Sequence, residues 1–119
     1  VAVYEEDDPA NIGCFVDLIR LRPGLNPYYL WIFLRSKLGW GQIRSLINGV
    51  GTPNISFLEI RSLRVPLLDL DDQLEYERAY LEQVRPLHRA AEENPAARPL
   101  AQQRFQQIVR RLDARLLGI

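Results

Sequence analysis

Methionine is missing from this chain, which opens on Val1. A natural full-length product normally begins with Met, so the sequence points to an excised or processed fragment. One cysteine, Cys14, excludes an internal disulfide and any cysteine-based metal cage. A single histidine, His88, leaves little material for acid–base or metal chemistry. No apolar run approaches the roughly 18 residues that span a bilayer. The acidic start (Glu5, Glu6, Asp7, Asp8) is the opposite of a secretion signal's basic first segment. These absences predict a cytoplasmic protein with no membrane association. An excess of charge is lacking too: the formal net charge is zero, which speaks against a generic polyanion binder.

What is present is unevenly distributed. Residues 15 to 66 carry seven bases (Arg20, Arg22, Arg35, Lys37, Arg44, Arg61, Arg64) against two acids, Asp17 and Glu59. A locally positive segment of this kind is what phosphate contact requires. The competing explanation is a solvated surface with chance clustering. With 47% hydrophobic residues over 119 positions, one core and one domain are the natural expectation.

Patterning predicts mixed secondary structure. Phe15 to Arg22 alternates apolar and charged positions and reads as a strand ended by Pro23-Gly24. Asn26-Pro27 is an N-cap followed by a first-turn proline. Tyr28, Leu30, Trp31, Leu34 and Leu38 then recur at helical spacing, with Gly39 as the stop. Gln42 to Ile47 is a second strand candidate. Ser56 and Glu59 fit a capping box that opens a short helix to Ser62. Leu63 to Leu67 is a third strand, which by its Pro66 either lies at an edge or ends there. Asp71-Asp72 opens a helix from about Gln73 to Glu93, with Asp72 and Glu75 as a further capping box and Pro86 as a kink. A last helix covers Leu100 to Leu117. The fold class expected is α+β, with a small mixed α/β recognition subdomain over 1–68 and an antiparallel helical hairpin over 69–119.

Catalytic constellations are absent from this pattern. Asn26-Pro27-Tyr28-Tyr29 is near the Asn-Pro-Pro-Tyr/Phe string with which amino-methyltransferases grip a base, but the second proline is missing. No glycine-rich cofactor turn accompanies it. A helical N-cap explains the string better. Asp69, Asp71 and Asp72 read as helix-capping acids before they read as a metal site. Gly49-Val50-Gly51 lacks the Lys-Ser/Thr of a phosphate loop. No catalytic residue, metal or cofactor is therefore assigned.

The order of motifs is the most informative feature. Asn26-Pro27-Tyr28-Tyr29-Leu30, Gly49 to Ser56, Ile60 to Val65-Pro66-Leu67 and Asp72-Gln73 together resemble the closing part of a target-recognition domain from Type I restriction-modification specificity subunits. Such domains also occur at the C-terminus of fused adenine methyltransferases. The likeness covers Phe15 to about Arg89. It departs at Leu68, where the family has proline, and at Asp72, where it has glutamate. The resemblance implies a non-catalytic module that reads double-stranded DNA and docks on a DNA methyltransferase subunit or domain.

The DNA contacts expected are Arg35, Lys37 and Arg44 with the loop residues Asn48, Gly49, Gly51, Thr52 and Asn54. Flexible glycines with free N–H groups suit phosphates, whereas Arg and Asn suit base edges. Leu74, Leu81, Val84, Phe105, Ile108 and Leu112 form apolar helix faces expected to dock a partner. The alternative from another class is a protein–protein assembly module whose helical hairpin does the work.

Overall fold

Asn26 starts the structure's central helix as an N-cap should. In the computed structural model, which describes residues 1–11, 13, 16–47 and 55–118, its side chain accepts from the Tyr28 and Tyr29 N–H groups at 2.9 and 3.1 Å. Helix α1, Pro27–Arg35, follows. Tyr28, Tyr29, Trp31, Ile32, Phe33 and Leu34 are all buried, so this helix is enclosed on nearly every side. Around it stand α2 (Lys37–Leu46), α4 (Leu70–Gln83) and α6 (Arg98–Leu117). The one-turn α3 (Phe57–Arg61) buries none of its residues, and α5 (Arg85–Glu93) follows directly on α4 in the chain.

No strand exists among the described residues, so the chain is all-helical and not α+β. Each expected strand fails for its own reason. Residues 16–22 have no ladder partner, and Val16, Leu18 and Ile19 stay exposed. Gln42 to Ile47 belongs mostly to α2: Ile43 and Ile47 are four apart, which is one face of a helix. Residues 63–67 do alternate, with Leu63 and Val65 against the core and Arg64 and Leu67 outside. Three of their backbone groups, however, are taken by side chains, and the Leu63 N–H donates to the Ile60 carbonyl. Gln42 pairs both ways with Arg64, accepting from its N–H at 2.7 Å and donating to its carbonyl at 2.8 Å. The Tyr29 hydroxyl donates to Pro66 O at 2.6 Å. Burial pushes Tyr29 up to about 12, so that donor stays protonated.

Gln73 completes this accounting. Its Oε1 accepts from Asn26 N at 2.8 Å, and its Nε2 donates to Gly24 O at 2.9 Å and Leu68 O at 2.8 Å. The side chain is 1% exposed. One buried amide thus fastens the turn before α1, the end of the extended segment and the first turn of α4. The expected Asp72–Glu75 capping box is replaced. The helix starts earlier, at Leu70, and Asp72 pairs instead with Arg115 of α6 at 2.6 Å.

Two helix boundaries also move. A single helix through Leu38 is broken at Ser36, which ends α1 and caps α2. Gly39 is not a stop but a point of close approach: a Cβ there would lie 1.9 Å from Phe33 O. Near Pro86 the long helix is interrupted at Val84, since proline cannot supply the N–H that a continuous helix needs.

The apolar faces predicted for partner docking are turned inward. Val84, Phe105, Ile108 and Leu112 are buried in the core that contains α1, Leu81 packs against it, and Leu74 is half-buried. Helix α1 is the third body that the paired helices require, so the division at 68/69 runs through one shared core.

Gln73→Leu should cost about 3 kcal/mol, because the buried Asn26 N–H and two partly buried carbonyls, of Gly24 and Leu68, lose their partner. Urea unfolding reads this directly, and a loss below about 1 kcal/mol would mean that the amide does not anchor the fold. Glycines 39 and 41 give a paired test within α2. Gly41→Ala, with nothing within 4 Å of its Cβ position, should gain about 0.5–1 kcal/mol. Gly39→Ala should reverse that sign and cost about 2–3 kcal/mol. Equal effects on thermal stability would refute the close approach.

Candidate nucleic-acid interface

The corner between α1 and α2 presents the site. Ser36, fully buried, donates to Phe33 O and accepts from Gly39 N at 3.2 Å. Asp113 of α6, 6% exposed, accepts from Lys37 N at 2.8 Å. Burying the hinge between them throws Arg35 and Lys37 outward on either side, and both are exposed. Along α2, Lys37, Trp40 and Arg44 stand at i, i+3 and i+7, so they share one face. All are exposed, Trp40 at 47%.

Beside this face lies a groove of about 510 Å³ lined by Arg35, Ser36, Lys37, Trp40, Gln106, Arg110 and Asp113. A second hollow of about 400 Å³ shares Arg35, Trp40 and Gln106 with it and continues toward Val1, Leu34, Ile43 and Phe105. The ion pairs among the described residues are Arg85–Glu5 and Arg115–Asp72. Arg35, Lys37, Arg44 and Arg110 take part in neither. Their charges remain available to an anion.

Of the DNA contacts expected from sequence, the fold brings Arg35 and Lys37 to one groove and sets Arg44 two helical turns beyond Lys37. Asn48, Gly49, Gly51, Thr52 and Asn54 lie outside the described residues, as does Cys14. Trp40, Gln106, Arg110 and Asp113 were not expected. A helical reading of residues 37–46 would have placed Trp40 between Lys37 and Arg44. Nothing local signals Asp113, whose partner is 76 positions away.

The remaining chemistry is structural in character. Glu5 pairs with Arg85 and accepts from the Tyr28 hydroxyl at 2.7 Å, which fastens the acidic N-terminal stretch to α1 and α5. His88 sits 3.0 Å from the Tyr80 hydroxyl, with the rings of Trp31 and Phe105 beside it. Among the described residues, no group of three or more His, Cys, Asp or Glu is placed to hold a metal, and no helix is long and apolar enough to cross a membrane. Comparison of the chain with protein-family models, curated proteins and solved structures finds no match.

Burial lowers the His88 pKa below the ordinary 6.5, while Glu5 pulls weakly the other way. The folded state therefore favours the neutral ring, and the unfolded chain binds the proton more readily. The His88 contribution should be constant above about pH 6.5 and decline as pH falls from there through the lower native value. Urea unfolding between pH 7.5 and 5.5 measures it, and His88→Gln should flatten the slope over that window. An unchanged slope would mean that His88 is not its source.

Proposed function

We propose that this chain recognises double-stranded DNA by binding alone, as the closing part of a target-recognition domain in a cytoplasmic restriction-modification complex with a DNA methyltransferase. The observation that carries the reading is where the motif segments meet. Asn26-Pro27-Tyr28-Tyr29, Val65-Pro66-Leu67 and Asp72-Gln73, the pieces on which the resemblance rests, are joined through Gln73 and Tyr29. Motifs weak by themselves act here as parts of one buried network. Between them the chain carries the Lys37–Trp40–Arg44 face. A cationic helix face of this kind suits phosphate contact.

Assembly through the apolar faces of the paired helices is less well supported, because α1 already occupies those faces. Contact with a methyltransferase then falls to other surfaces of the chain.

Titrating the full chain with a labelled duplex, by fluorescence anisotropy at several salt concentrations, tests the proposal. Lys37→Ala combined with Arg44→Ala should weaken binding about tenfold or more and lower the salt slope by about two contacts. Unchanged affinity and slope would remove both residues from the interface.

A further inference from the structure

The groove at the α1–α2 corner has a wall that the proposed contacts do not use. Gln106 and Arg110, one turn apart on α6, face Arg35, Lys37 and Trp40 across it. Three cations from three helices converge there. The single carboxylate in the lining, Asp113, is buried and committed through Oδ1 to the Lys37 N–H. Trp40 adds a large exposed apolar ring. Its counterpart Trp31 is buried at 9% exposure, so exposure is not general to the tryptophans of this chain.

Such a lining selects for a ligand that is anionic and also carries an apolar face. A free inorganic anion would leave Trp40 unused, and an apolar helix would leave three cations uncompensated. The sugar–phosphate backbone meets both demands. Its phosphate oxygens accept from Arg and Lys, and the deoxyribose packs on the indole. Gln106 supplies an amide that can donate to either oxygen class.

We infer that the groove between the α1–α2 corner and α6 holds the backbone of duplex DNA, with Trp40, Gln106 and Arg110 as contact residues. This rests on the DNA-recognition reading above and extends it: α6, expected from the sequence as one arm of a partner-docking hairpin, becomes part of the binding surface. The footprint then crosses from α2 onto the second long helical segment.

Tryptophan fluorescence of the full chain gives a direct test, because the sequence holds two tryptophans and one of them is buried. A duplex should shield Trp40 from acrylamide and lower the quenching constant about twofold, and Trp40→Phe should abolish that change. Arg110→Gln should weaken duplex binding about threefold to tenfold and reduce the salt slope by about one. Arg98→Gln, at the far end of α6 and outside the groove lining, serves as the charge control and should leave the slope unchanged. Duplex binding with Trp40 quenched as before and Arg110→Gln silent overturns the groove while leaving DNA recognition standing. No duplex binding by the parent chain at about 50 mM salt overturns both. Equal shielding of Trp40 by a single strand makes the groove a base-stacking surface and overturns the duplex-backbone assignment. Equal shielding by heparin makes it a general polyanion site, with the same consequence.

Discussion

One buried carboxamide holds this molecule's connections together. Gln73 uses its oxygen and both of its N–H groups on backbone from two other parts of the chain. An amide in a low-dielectric interior is costly when unpartnered and specific when fully paired. Because its donors and acceptor are fixed in one plane, Gln73 admits one arrangement of the turn at Gly24, the cap at Asn26 and the carbonyl of Leu68. The neighbouring bonds from Tyr29 to Pro66 and from Gln42 to Arg64 extend the same device. Together they stand in for a sheet. An extended segment lies against helices with the Arg64 N–H and the Arg64, Pro66 and Leu68 carbonyls bonded to side chains, which takes up groups that a neighbouring strand would otherwise pair.

That fastening determines where α1 sits, and α1 determines the rest. A nine-residue helix with six buried side chains must be surrounded. The paired segments α4–α5 and α6 supply two walls, and α2 supplies another. Their aromatic rings meet α1 at Tyr28–Tyr80, Trp31–Tyr80 and Trp31–Phe105, with centroids 4.9 to 5.4 Å apart. At such distances ring geometry adds to plain burial and helps select a single packing.

Electrostatics follows the same logic. A chain of zero net charge can still offer a cationic surface if its acids are committed elsewhere. Glu5 is held by Arg85 and Tyr28, Asp72 by Arg115, and Asp113 by the Lys37 backbone. The corner bearing Arg35, Lys37, Trp40 and Arg44 is left with its bases unspent. The buried hinge at Ser36 and Gly39 is what makes the corner sharp enough to present them together.

The sequence alone determined the local signals. The Asn26 cap with Pro27, the Ser56–Glu59 capping box and the helix break near Pro86 depend on residues a few positions apart. Amphipathic spacing likewise marked Val84, Phe105, Ile108 and Leu112 as apolar helix faces, though as faces for a partner, and charge counting placed Arg35, Lys37 and Arg44 in a basic segment. Tertiary structure decided what these faces bury against and whether extended segments become strands. A strand needs a partner's backbone, and alternation at residues 63–67 cannot reveal that Gln42, Tyr29 and Gln73 will satisfy it instead. Gly39 looked like a stop because its actual role, clearance for Phe33 O, is a contact between helices. Asp113, Gln106 and Arg110 join the α1–α2 corner only after α6 has folded back across some 70 residues, and such long-range proximity leaves no local periodicity to read.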